Sequence, residues 1–158
     1  MTHQPASECL KQARDVPKSS LPLLIVGASE GDHSSRQALG HCQGREQYVR
    51  SCREARQLLQ KTSVQVVICE RDLPDGSWRD VLESAATLQD PPAVIVTSRL
   101  ADDRLWLDVL NAGGYDVLAK PWDGREARRT IALARKYRMS RTGQEAALGG
   151  DRGRLNVE

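Results

Sequence analysis

Between Leu21 and Tyr137 the chain alternates short apolar runs with segments in which apolar residues recur every three or four positions. Leu21 to Val26 (LPLLIV) reads as a buried strand and runs into a polar loop, GASEGDH. A helix is expected from Ser34 to Gly44, then a weak strand at Gln47 to Ser51 carrying Tyr48 and Val49. Arg53 to Lys61 places Ala55, Leu58 and Leu59 on one helical face. Val64 to Cys69 (VQVVIC) is β-branched and nearly all apolar, the composition of a strand covered on both faces. It gives way to a turn-rich stretch, Glu70 to Gly76. Trp78, Val81, Leu82 and Ala85 then repeat at helical spacing, and Pro91-Pro92 introduce a fourth strand at Ala93 to Val96. Asp102 and Asp103 supply acids to the first turn of a helix carrying Leu105, Val109 and Leu110, which stops at Gly113-Gly114. Tyr115 to Ala119 is a fifth strand ended by Lys120-Pro121, and a last helix is expected from Asp123 to Tyr137.

Strand and helix alternating in this way predict an α/β fold: a doubly wound, five-stranded parallel sheet with helices on both faces. The folded domain is expected to span 21–138. Residues 1–20 and 139–158 are polar and rich in Gly, Ser or Arg, and are read as loose tails. The stretch after Tyr137 is expected to be too short and too polar to form a DNA-binding domain.

Composition narrows the picture little. A formal charge of +2 does not mark a nucleic-acid binder. The arginines of the last helix (Arg125, Arg128, Arg129, Arg135) read as a solvated face, because no recognition motif accompanies them. Cys9, Cys42, Cys52 and Cys69 are scattered without metal-ligand spacing, as expected of reduced thiols in a cytoplasm. There is no signal-peptide core, and no apolar stretch nears the ~18 residues a membrane span needs. Trp78, Trp106 and Trp122 read as packing residues, with Trp122 partly exposed after the Lys-Pro turn. His33 reads as an ordinary loop residue. No phosphate-binding glycine loop and no hydrolase triad motif occurs.

In open parallel sheets function gathers beyond the carboxyl ends of the strands. Those ends are Gly27 to Asp32, Glu70 to Asp75, Thr97 to Leu100, and Lys120-Pro121. The strand leaving through LPDG, the Thr97-Ser98 pair and the segment AGGYDVLAKPW fall there in order, and together they resemble the receiver domains of two-component signalling. The resemblance covers Leu21 to Tyr137 and implies a flavodoxin-like receiver fold with strand order 2-1-3-4-5. It also implies a phosphoryl-accepting pocket. In the family an aspartate after strand three is the nucleophile, two acids after strand one hold Mg²⁺, and a hydroxyl and a lysine bind the phosphoryl oxygens.

Carried over residue by residue, Thr97 matches the hydroxyl and Lys120 the lysine, with Pro121 implying a cis bond. The acceptor position holds Glu70, the acidic pair becomes Gly27 and Ala28, and the aromatic switch position in strand five is Val117. Glutamate carries its carboxylate roughly 1 to 1.5 Å further than aspartate does. A misplacement of about 1 Å can cost roughly a hundredfold in a reaction that depends on alignment. Mg²⁺ also wants carboxylate oxygens, which Gly27 and Ala28 lack. The expectation is a degenerate pseudo-receiver without Mg²⁺ or another cofactor and without catalytic output. Glu30, Asp32 and Asp72 are weak candidates for rebuilding a cation site, and with them a conventional phospho-accepting regulator stays open. A small flavodoxin-like cofactor-binding enzyme is a remoter alternative.

The resemblance further implies that Glu70 and Lys120 meet at the pocket floor, either as a fixed signalling mimic or as an ordinary structural pair. The expected partner is a protein, a histidine kinase or a downstream signalling protein. Neither nucleic acid nor membrane is expected to bind. A homodimer through the fourth helix, fifth strand and fifth helix is open.

Overall fold

The computed structural model describes residues 20–27, 37–39 and 46–151, with side chains as far as Arg141. Five parallel strands form the sheet: β1 (Ser20–Val26), β2 (Glu46–Val49), β3 (Ser63–Glu70), β4 (Ala93–Ser98) and β5 (Asp116–Ala119). Their order is β2-β1-β3-β4-β5, the arrangement expected from the sequence. Among the described residues four helices with both ends defined follow strands: α1 (Cys52–Lys61), α2 (Trp78–Ala86), α3 (Asp103–Asn111) and α4 (Gly124–Asp151). Of the helix expected at Ser34 to Gly44, only the helical residues Gln37, Ala38 and Leu39 are described.

Period-two alternation along the strands builds two dry layers. Leu24, Val26, Val67, Cys69, Val94 and Val96 face α1, α2 and α3 through Ala55, Leu59, Trp78, Val81, Leu105 and Val109. Leu23, Ile25, Val66, Ile68, Ile95 and Leu118 face Leu39 and the Ala127, Ile131 and Ala134 stripe of α4. Burial on both faces accounts for the unbroken apolar runs of β1, β3 and β4. Each such side chain contributes about 1.5–3 kcal/mol of transfer free energy.

The helix ends follow from local chemistry. Ser51 caps α1 through Glu54 N–H. Ser77 and Asp80 form a reciprocal capping box on α2. Asp102 accepts from Leu105 N–H at the start of α3, as its acids predicted. At the other end of α3, Gly113 adopts φ +99°. This lets Gly113 N–H and Gly114 N–H reach the carbonyls of Leu110 and Val109, closing the helix where the glycine pair predicted. Asp123 accepts from the N–H groups of Arg125 and Glu126 at the root of α4.

Two expectations are corrected. The last helix runs on to Asp151, so residues 139–151, read as part of a loose tail, are helical. That stretch contains no proline, so the backbone ladder of a helix already nucleated by packing continues through it, although Gly143, Gly149 and Gly150 are poor helix formers. The stretch after Glu70 is also more ordered than a turn. Asp72–Leu73 pairs antiparallel with Gly76–Ser77, making a short ribbon around Pro74 and Asp75.

Candidate functional site at the strand ends

The parallel registers bring Gly27, Glu70, Thr97 and Lys120 to one edge of the sheet. Glu70, the last residue of β3, lies directly opposite Thr97 of β4, and Thr97 lies opposite Leu118 of β5. Lys120 follows β5 and is fixed by its N–H donating to Ser98 O at 3.0 Å. The Lys120–Pro121 bond is cis, as the resemblance implied. Strand alternation then turns Gly27, Glu70 and Thr97 toward the α4 side of the sheet.

Lys120 Nζ donates to Glu70 Oε1 in a direct ion pair. The two side chains are 16% and 22% exposed, so water screens the pair only in part. Gly27 explains how Glu70 lies there. Its φ is +92°, a left-handed conformation natural to glycine. A Cβ at that position would stand 2.6 Å from Leu73 Cδ2, 2.7 Å from Glu70 Cγ and 2.8 Å from Glu70 Cβ. The aliphatic stem of Glu70 therefore lies across the bare backbone of Gly27 and carries its carboxylate to Lys120.

Thr97 is 2% exposed, and both capacities of its hydroxyl are used. Oγ1 donates to Leu118 O at 2.9 Å and accepts from Trp122 Nε1 at 2.8 Å. Trp122 is 8% exposed, which corrects the expectation of a partly exposed ring after the Lys-Pro turn. The ring joins Leu39, Leu118, Ala127 and Ile131 in the α4-side core. Val117 packs half-buried against the opposite core layer.

Asp72 is exposed and paired with its chain neighbour: its side chain, 76% exposed, bridges Arg71 at 2.9 Å. Its neighbour Asp75, unmarked in the sequence reading, has a long-range role. Its two carboxylate oxygens accept from Cys52 N–H at 2.8 Å and Arg53 N–H at 3.0 Å, tying the ribbon to the first turn of α1. Those backbone hydrogen bonds hold the Asp75 carboxyl below the usual range. Ala28, Glu30, Asp32 and His33 lie outside the described residues.

The divalent ion that the resemblance implies does not fit the described residues. The Glu70 stem fills the space above Gly27, the Glu70 head is on an ammonium, and the Asp72 head is on a guanidinium. Among the described residues no group of three His, Cys, Asp or Glu side chains could hold a metal. No described helix is long and apolar enough to cross a membrane. Two clefts, of about 340 and 220 Å³, lie between α1 and α2 and share Arg56 and Ser84.

No family model matches the chain, and no curated protein matches it. Solved structures do. The signal receiver domain of a putative LuxO repressor protein from Vibrio parahaemolyticus is 23% identical, with TM-score 0.70 over 80% of this chain and 98% of that one. The signal receiver domain of an HD domain-containing protein from Pseudomonas fluorescens Pf-5 is 24% identical, with TM-score 0.67 over 77% and 98%. A CheY-like response regulator receiver domain from Methanospirillum hungatei JF-1 is 20% identical, with TM-score 0.67 over 78% and 99%. The fold is therefore the flavodoxin-like fold of response-regulator receivers, a five-stranded parallel sheet with helices on both faces.

Proposed function

We propose that this chain is a signalling module of the two-component receiver class whose phosphoryl pocket has become a fixed ion-paired structure, and that it acts by docking to a protein. The observation that carries this reading is the placement of Glu70 over Gly27 with its carboxylate on Lys120. Phosphoryl transfer is mostly positioning and charge neutralisation. Here the acid that would attack is longer than aspartate and already neutralised. The backbone that would carry a metal-holding acid is covered, and the hydroxyl that would receive the phosphoryl oxygens is bonded on both sides. Each departure alone weakens the chemistry; together they leave no step of the usual cycle supplied by the described residues.

The surface supports docking. Trp106, Leu107 and Leu110 of α3 and Leu133 and Tyr137 of α4 are exposed, and the Tyr137 ring lies tilted by 43° against Tyr115, at the entry to β5, with centroids 5.2 Å apart. Apolar and aromatic side chains gathered on one face mark an interaction surface. A structural neighbour of this chain, 17% identical with TM-score 0.64, is the beryllofluoride-activated NtrC4 receiver domain, a dimer. We place the protein partner, a second copy included, on the α3-β5-α4 face.

The test is intact mass after incubation with acetyl phosphate and Mg²⁺. The proposal expects no phospho-adduct; a stoichiometric adduct at Glu70 would refute it.

A further inference from the structure

Receiver switching, as the resemblance describes it, couples a hydroxyl after strand four to an aromatic residue in strand five. In this chain the strand-five position is Val117, which has no polar atom to offer. The hydroxyl has another partner. Trp122, five residues further on, donates its indole N–H to Thr97 Oγ1 at 2.8 Å, and the Thr97 hydroxyl donates to Leu118 O at 2.9 Å.

The direction of this relay is fixed by chemistry. An indole N–H can only donate, and a hydroxyl has a single proton. Once Trp122 donates to it, Thr97 accepts on one side and donates on the other. Turning Thr97 toward Lys120 would take the acceptor from a buried indole N–H, while the Leu118 carbonyl keeps its place in the β4–β5 ladder. Leaving a buried polar group unpaired is what makes such a rotation unfavourable. The three residues belong to three segments: the end of β4, the middle of β5 and the turn leading into Asp123, the cap of α4. These are the segments that frame the α3-β5-α4 face.

We propose that Trp122 is a positioning residue, a latch that holds the Thr97 hydroxyl on β5. It thereby fixes the connection from β4 to α3 and the turn from β5 to α4 in one arrangement. The inference rests on the docking reading only for the meaning of the face it controls. The latch itself is tested without partner, metal or phosphoryl donor, so the two can fail separately.

The experiment is residue-resolved amide hydrogen exchange on the full chain, comparing wild type with Trp122→Phe, Thr97→Val, the double variant and Thr97→Ser. Phenylalanine keeps an aromatic ring without the donor, valine keeps the shape without the hydroxyl, and serine keeps the hydroxyl. Trp122→Phe and Thr97→Val are each expected to speed exchange about tenfold at Arg99 to Ala101 and Leu118 to Lys120, the effect of one lost hydrogen bond. The double variant is expected to be no faster than either single, because both break the same relay. Thr97→Ser is expected to behave as wild type, with α1 and α2 unaffected throughout. Uniform acceleration across all elements would mean that these residues only pack, and would overturn the proposal. So would a double variant showing the product of the single effects, or Thr97→Ser exchanging as fast as Thr97→Val. Should Trp122→Phe fail to fold, exchange of the Trp122 indole N–H decides: it is expected to be faster in Thr97→Val than in wild type and Thr97→Ser, and equal exchange in all three would overturn the proposal.

Discussion

Removing the lysine from the Glu70–Lys120 pair strands a carboxylate that is about four-fifths buried, and this makes Lys120→Met the most informative single perturbation. An exposed ion pair contributes about 0–1 kcal/mol. Breaking a fully buried one costs about 3–5 kcal/mol, because an uncompensated charge remains inside. With side chains 16% and 22% exposed, the pair sits between these limits, and Lys120→Met should cost about 2 kcal/mol. Glu70→Gln keeps the shape and removes the charge, so it should cost about 1 kcal/mol. The double variant should cost less than the sum of the singles by about 1 kcal/mol, because no stranded charge is left behind. Urea denaturation of all four proteins, with equal slopes confirming an unchanged unfolding transition, reads these values directly. Additive effects, or a Lys120→Met cost under about 0.5 kcal/mol, would show that the two groups do not hold each other. The fixed-pocket account would then lose its anchor.

Gly27→Ala adds a Cβ 2.6–2.8 Å from Leu73 and Glu70 on a backbone at φ +92°, so overlap and strain combine. A loss of about 2–4 kcal/mol is expected in urea, and a loss under about 1 kcal/mol would mean that Glu70 moves aside freely. Asp75 is held in its charged form by Cys52 and Arg53 N–H, so its folded value lies below its unfolded one. Its contribution is therefore complete above the unfolded value, near pH 4, and disappears as pH falls through the folded value. Asp75→Asn should lower the urea midpoint by a constant amount between pH 5 and 7, and the gap should close on acidification; a gap that persists at pH 2 contradicts the assignment. Burial pushes the Cys69 thiol well up, and burial with the Asp75 hydrogen bond pushes Cys52 to about 11. At pH 8 both should react with a maleimide far more slowly in the folded chain than in urea, as peptide mapping would show; rapid native labelling of Cys69 would contradict its burial.

The sheet was legible because burial on both faces leaves a signal within each segment. β1, β3 and β4 are apolar runs, and the end of α3 is written in Gly113-Gly114. Glu70, Thr97 and Lys120 could be assembled from sequence because parallel strands end on one edge, whatever their contacts. What stayed hidden depends on side chains meeting from distant segments. Nothing local in Trp122 says that its indole reaches Thr97, or in Asp75 that its carboxylate caps a helix 22 residues earlier. Asp72, two residues past Glu70, reads as a pocket acid in the sequence, but its head is exposed and pairs with Arg71. The last helix outran its prediction because an apolar stripe marks where a helix packs, not where its backbone ladder ends.

Beryllofluoride with Mg²⁺ mimics a bound phosphoryl group without requiring the transfer step, so it probes the pocket itself. Titrating it into the isotopically labelled chain while following the amide signals of Gly27, Glu70, Thr97 and Lys120 is the most direct measurement. An ion-paired, stem-filled pocket predicts no saturable shifts at millimolar ligand. Saturating shifts at Thr97 and Lys120 that require both the metal and the fluoride complex would contradict the account.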